Sequence, residues 1–299
     1  LTHPDSTVKK RTGFLAPSFG SDSATGRTMA VPFYIDIAPD KDATITPIFT
    51  TNQGVVASGQ YRQRFQKGAL TVDGSYVNAD RVEGNDVRRD RHRGHFKADG
   101  GFDIDDNWRS KFRVYRASDE TYLRRFRFDS APTIRSTGQL EGFFGRNYAS
   151  VAAFKSQDLR TDIADNLTPT ALPIASYSFV GDSSETGGYW TFDASAAALY
   201  RDVGPQSRRL AAIAGYHMPF RTDGGHLFEV STTLRADAYS VEGIDQNDPA
   251  SFGAADSGFT GRVFPQTAIT WRYPSASAGA GYSQLGDGVI WLVTGQDSG

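Results

Sequence analysis

Cysteine is absent from the 299 residues. That removes disulfides, thiolate nucleophiles and thiolate metal sites together. No apolar run reaches the roughly 18 residues that a transmembrane helix needs. A transmembrane β-barrel stays open, because its strands alternate and leave little trace in hydropathy. A surplus charge of one sign is also missing: 32 Lys and Arg face 34 Asp and Glu, for a formal net charge of −2. No global basic field therefore points to nucleic acid. The start, LTHPDSTVKK, lacks the basic and apolar regions of a signal peptide, so it reads as a mature start or as the edge of a fragment. No convincing amphipathic helical period appears either.

What the chain does have is glycine, 31 residues, and 12% aromatics, with a period of two repeated many times. In Thr28–Ile37 the odd positions are Met29, Val31, Phe33, Ile35 and Ile37. Val55–Phe65 sets Val55, Ala57, Gly59, Tyr61 and Phe65 against Ser58, Gln60, Arg62 and Arg64. Ala69–Ala79, Arg93–Asp103 and Trp108–Ala117 alternate in the same way. The pattern resumes in Tyr189–Tyr200, Arg208–Phe220 and His226–Ser240, and more weakly in Gly258–Arg272. With vaguer runs near 44–51, 121–129, 138–157 and 172–181, roughly a dozen to fourteen strands are expected. Tight turns are expected at Asn52-Gln53-Gly54, Gln66-Lys67-Gly68, Asp105-Asp106-Asn107 and Asp223-Gly224-Gly225. Long polar loops are expected at Asp80–His92, Asp182–Gly188 and Glu242–Ser257.

The polar faces are ionic, with Arg62, Arg64, Lys97, Arg109, Arg113, Glu229, Arg235 and Asp237. The apolar faces carry aromatics near strand ends, among them Tyr61, Phe65, Trp108, Trp190, Tyr200 and Trp271. A charged lumen with an apolar outside and aromatic girdles describes a barrel in lipid. A soluble sandwich has the same alternation with the greasy face turned inward. Strand length favours the first, since sandwich strands average roughly 5–6 residues and these are about twice that. The expected class is an all-β, transmembrane antiparallel β-barrel, of which this chain supplies about 12–14 strands.

Catalytic and metal chemistry find little footing. His92 and His95 form an HxxH pair at a loop-to-strand junction rather than a helical HExxH. His217 lies on the polar face with no nucleophile motif of known spacing beside it. Gly100-Gly101 and Gly187-Gly188 do not open helices, so phosphate-cradle motifs fail. No cofactor, metal site or catalytic residue is assigned, and the chain is read as a non-enzyme. Three basic clusters remain: Lys9-Lys10-Arg11, Arg88 to Arg93, and Arg124-Arg125-Phe126-Arg127. Each is either an anion contact or an ordinary solvated charge run.

The stretch RTGFLAPSFG at Arg11–Gly20, followed by VPFYIDIAPDKDATITPIFTTNQG, resembles the LPS-assembly protein family LptD (OstA), of alphaproteobacterial type. GRNYASVAAFKSQDLR, PIASYSFVGD and SGFTGRVFPQ extend the likeness over roughly residues 8–272. The resemblance implies the N-terminal part of a large outer-membrane barrel. In that reading 1–25 ends a periplasmic jellyroll and leads into the barrel, 26–273 are barrel strands, and 274–299 are an irregular tail. The implied function is to receive lipopolysaccharide from the periplasm and insert it into the outer leaflet of the bacterial cell outer membrane through a lateral seam. The implied partners are lipopolysaccharide, an LptE-type lipoprotein plug, and an LptA-type periplasmic bridge that docks on the jellyroll. Pro32 and Pro47 match the family's seam prolines, each removing a ladder donor. Arg62, Arg64, Arg109 and Arg113 are candidate contacts to lipid phosphate and core sugar. Prolines at bulges or strand ends are the plainer alternative for the pair, and a passive outer-membrane porin is the alternative function.

Overall fold

In the computed structural model the described residues are 11–83, 86–160, 168, 170–201, 204–243, 258–273 and 287–292. Side chains are described for these except at 81–83, 86–91 and 287–292. The first basic cluster apart from Arg11, the side chains of Arg88, Arg89 and Arg91, and most of the expected 242–257 loop lie outside this set. The chain divides into two compact units: Leu1–Leu140 with Ala153–Thr170, and Glu141–Ala152 with Ala171–Gly299.

The first unit opens with β1 (Gly13–Phe14), β2 (Ser18–Asp22) and β3 (Gly26–Ala30), followed by β4 (Phe33–Ala38) and β5 (Lys41–Thr50). It continues with β6 (Gly54–Phe65), β7 (Gly68–Glu83), β8 (Asp86–Asp103) and β9 (Trp108–Ala117), then α1 (Tyr122–Arg125) and most of β10 (Thr133–Phe144). From β4 to β9 it is an antiparallel meander. The single strand expected over Thr28–Ile37 is broken at Val31-Pro32, with β3 and β4 both paired to β5. Register survives the break, since Ala30 faces Ile48 and Phe33 faces Ile45.

Two expectations are corrected in this unit. Asp80–His92 is not a loop, because β7 and β8 pair through it, from Asn78 opposite His92 to Glu83 opposite Asp86. Its dense charge reads as loop composition, but backbone groups make the ladder and charged side chains only need water. The run 121–129 is not a strand. Tyr122 and Leu123 are adjacent and both fully buried, and a strand would send them to opposite faces. They sit on the short helix α1, inside the segment that connects β9 to β10.

That segment folds back over the face that carries Ser58 and Gln60 on β6, Asp73 and Ser75 on β7, and Arg113 on β9. Tyr122 and Leu123 pack with Val56, Val77, Ala79, Tyr115, Ile134 and Leu159, flanked by Ile48, Ala117, Phe126 and Phe128. Burying a side chain such as Leu123 contributes about 1.5–3 kcal/mol. This is the main apolar cluster among the described residues.

The second unit contains β12 (Thr170–Val180), β13 (Tyr189–Tyr200), β14 (Gln206–Arg221), β15 (Leu227–Glu242), β16 (Gly258–Arg272) and β17 (Asp287–Leu292), in that neighbour order. β11 (Asn147–Asp158) divides between the units, as β10 does. The expected loop 182–188 joins β12 to β13. Within 274–299, where alternation fades, Asp287–Leu292 pairs with β16 from Thr267 to Arg272. Counted over the described residues, strands number 17 rather than a dozen to fourteen. The rise comes from the β3/β4 break, the short β1 and β2, and β17.

Candidate functional site

The alternation seen in sequence has a definite sense in space. Leu210, Leu234 and Val263 are 57%, 51% and 62% exposed, and Ile45, Val55, Tyr76, Phe96 and Trp190 are exposed with them. The side chains that are hidden include Asp42, Arg93, Asp119 and Asp237. Water would drive the reverse arrangement, at about 25 cal/mol per Å² of apolar surface. Each unit therefore presents a greasy face outward and folds its charges on the other.

Pro32 and Pro47 each lose one specific bond. In an antiparallel hydrogen-bonded pair the two residues exchange both N–H···O bonds. Val31 N–H donates to Pro47 O at 3.2 Å, and Leu15 N–H donates to Pro32 O at 2.9 Å. The return donors would be the nitrogens of Pro47 and Pro32, and proline has none. One half-made pair thus lies on the β4–β5 side and the other on the β1–β4 side. Pro47 is within β5, in register with Ala57 of β6, while Pro32 occupies the gap between β3 and β4.

Three of the four candidate arginines face a carboxylate directly across the ladder. Arg62 opposes Asp42 with Nε–Oδ1 at 2.7 Å, Arg113 opposes Asp99 at 2.5 Å, and Arg109 opposes Asp103 at 3.3 Å. Such cross-strand pairs contribute roughly 0.2–1 kcal/mol each. Arg64 lines a cavity of about 450 Å³ with Asp40, Asp42, Arg62 and Thr71. The structure thus groups Arg62 with Arg64 and holds Arg109 and Arg113 on β9, paired to β8.

Sequence offers Asp119 only as one of several carboxylates that balance the basic clusters; the structure makes it the partner of Arg93 in the strongest polar assembly. Arg93, buried on β8, reaches both oxygens of Asp119, at 2.8 Å each, and also bonds Thr121 Oγ1 at 2.8 Å and Asp80 O at 3.1 Å. Ser75 Oγ lies 2.6 Å from both His95 Nδ1 and the Tyr122 hydroxyl. These contacts lock α1 against β7 and β8. His92 stacks instead on Tyr76. Residues three apart on a strand point to opposite faces, so the HxxH pair cannot share an ion.

Asp119 lies in the connection outside the strands. Burial pushes its carboxyl up, but hydrogen bonds from Arg93 and Thr121 and the Arg93 charge outweigh this and hold it at about 2, below the ordinary 3.8. A depressed folded pKa stabilises above the unfolded value and is lost as pH falls through the folded one. The stability Asp119 supplies is therefore complete above pH 3.8 and disappears toward pH 2. Urea midpoints measured down this range should fall more steeply for the unaltered chain than for Asp119→Asn.

The second unit holds two further clusters. Asp237, nearly fully buried, is met by Arg235 at 2.8 Å, Arg262 at 3.4 Å and Arg209 at 3.5 Å, from β15, β16 and β14. His217 Nδ1 lies 3.0 Å from Glu229 Oε1 and its Nε2 lies 3.3 Å from Thr191 Oγ1. That order imitates a hydrolytic relay. A hydrolase also needs donors aimed at a developing oxyanion; Thr191, near the start of β13, is paired with Gly215 in the ladder.

A two-faced antiparallel sheet fits the family suggested by the sequence. The family model described as LPS transport system D, LptD, matches residues 91–285, well over half of the chain. The chain belongs to the LptD family. The LPS-assembly protein LptD of Paracidovorax citrulli (strain AAC00-1) is 30% identical over 243 residues, covering 73% of this chain and 28% of that protein. LptD of Actinobacillus pleuropneumoniae serotype 7 (strain AP76) is 29% identical over 243 residues, covering 78% and 31%. LptD of Pasteurella multocida (strain Pm70) reaches 36% over 124 residues, covering 41% and 15%. The chain thus spans less than a third of the length of these LptD relatives. Among solved structures it is similar to BamA from Haemophilus ducreyi lacking POTRA domains 1–3, at 13% identity and a TM-score of 0.35, covering 89% of this chain and 65% of that one. The matched span begins at residue 91, so the proline block lies before it.

Proposed function

We propose that this LptD-family chain forms part of an outer-membrane β-barrel that takes lipopolysaccharide from the periplasmic side and releases it into the outer leaflet through a lateral seam beside Pro32 and Pro47. The observation that carries the reading is the outward greasy face. Exposed Leu210, Leu234, Val263 and Ile45 have a favourable solvent in hydrocarbon, while the paired charges of the other face have one in a watery lumen. The relatives named LPS-assembly proteins supply the cargo. A lipoprotein plug of LptE type and a periplasmic bridge of LptA type complete the proposed assembly.

In this mechanism the acyl chains leave between strands while phosphates and sugars travel along the polar face. A backbone group left unsatisfied in lipid costs several kcal/mol, against about 1 kcal/mol net for a hydrogen bond in water. The two missing return bonds hold the seam closed by less than a full ladder would. Arg62, Arg109 and Arg113 contact phosphate by exchanging their aspartates for it, and Arg64 contacts it from the cavity it lines. Lipid supplied from behind drives the movement, a scheme in which this chain handles no nucleotide.

Pro32→Val with Pro47→Val restores both donors. In the complete protein the expected outcome is a several-fold slower appearance of labelled lipopolysaccharide at the cell surface, at unchanged barrel abundance. Surface delivery at the original rate would overturn the seam.

A further inference from the structure

The basic run that ends α1 and continues to Arg127 has no part in the seam. Arg124, Arg125 and Arg127 line one cavity of about 530 Å³ with Thr121, Ala24, Ser23 and Asp22, at the end where β2 turns into β3. Three guanidinium groups there face a single carboxylate, and that carboxylate is occupied. Asp22 already accepts from Ala24 N at 2.8 Å, Thr25 N at 2.7 Å and Thr25 Oγ1 at 2.7 Å, while Arg127 Nε stands 3.4 Å from it. Asp119, just behind, is taken up by Arg93, Thr121 and Ser118.

Two features set the cluster apart from an ordinary solvated charge run. Arg125 Nε is buried and has no hydrogen-bond partner, a state that normally costs the full desolvation of the donor. Arg127 has φ 58°, the only positive φ of a non-glycine residue among those described. A left-handed arginine is strained by roughly 1–3 kcal/mol, and such strain gathers at ligand clamps. It turns the Arg127 side chain back to Asp22 and Ser21 O, onto the same cavity as its two neighbours. Burial and then the Arg93 charge push the Arg125 guanidinium below its ordinary value, against the opposing pull of Asp119, Asp80 and Asp22.

We propose that Arg124, Arg125 and Arg127 form a binding site for a phosphomonoester dianion. Forked guanidinium donors suit tetrahedral phosphate oxygens in pairs, and a dianion balances the two charges that Asp22 leaves over. The source of that phosphate rests on the function proposed above: it is carried by the glycolipid cargo as it enters, rather than free in solution.

The test is calorimetric titration of the complete protein in detergent with three probes: inorganic phosphate, a bis-phosphorylated acylated glucosamine disaccharide, and the same glycolipid without phosphates. The phosphorylated glycolipid should bind, and Arg124→Gln with Arg127→Gln should weaken it roughly tenfold or more. Inorganic phosphate should bind more weakly with the same arginine dependence. Arg124→Lys with Arg127→Lys keeps charge and loses the forks, and should fall between. An unchanged unfolding midpoint in both double variants ties the loss to the site. Equal binding of the dephosphorylated glycolipid, or binding indifferent to both double variants, would overturn the site. Arginine-dependent binding of inorganic phosphate that the phosphorylated glycolipid does not displace would overturn the lipid source. If surface delivery proves independent of the complete protein while phosphate binding persists, the function fails and the site stands.

Discussion

Asp119→Ala should destabilise the first unit by about 3–5 kcal/mol, the cost of leaving a buried charge without its partner. Arg93 has a side chain only 1% exposed, and its partner carboxylate is 2% exposed. Removing the carboxylate strands a guanidinium whose remaining bonds go to Thr121 Oγ1 and Asp80 O. The helix α1 would then leave its seat, with Tyr122 and Leu123 losing their burial. Urea unfolding of the reconstituted protein should show the drop, and limited proteolysis should cut between β9 and β10 first. Arg93→Met with Asp119→Leu removes both charges and should recover most of the loss, because an apolar pair of similar volume is often neutral or better. A single variant as stable as the unaltered chain would mean that the pair is hydrated and the fold-back is held by its apolar residues alone.

Leu234→Arg should cost about 2–4 kcal/mol of stability in a bilayer, the range for a cation near the midplane of a barrel's lipid face. Leu234 lies midway along β15, is 51% exposed, and faces Ala214 and Pro265 on the neighbouring strands. Its successor Arg235 is the built-in control: an arginine at nearly the same depth, on the other face, bonded to Asp237. Gln60→Arg, on the polar face of β6 directly opposite Asp73, should refold within a few tenths of a kcal/mol of the parent. Refolding yields in lipid vesicles compare the three. Should Leu234→Arg insert as well as the parent and make the chain soluble without detergent, the greasy face does not meet lipid.

Much of the sheet was legible because strand periodicity is a local property. Leu210, Ala212 and Ala214 announce their shared face within five positions, and β14 pairs them with Ala238, Ala236 and Leu234. Even the cross-strand pair Arg113 and Asp99 could be read once a tight turn fixed the register. The fold-back could not. Arg93 and Asp119 lie 26 positions apart, and nothing in TYLRRFRF says that Tyr122 and Leu123 turn inward together. The β3/β4 break was half legible: Pro32 gave the place, but the bond it forfeits depends on Leu15, a residue whose pairing no alternation marks. Charge misled at Asp80–His92, where composition argued for a loop and the ladder simply continued.

The seat of α1 has a bearing on how the chain assembles. Val56, Val77, Tyr115, Tyr122 and Leu123 span fewer than seventy positions, so β6 to β9 can gather around them while distant strands are still unmade. Closing short loops is entropically cheaper and kinetically faster than joining remote segments. That gives the nascent sheet a nucleus of its own, from which the remaining hairpins can add one after another.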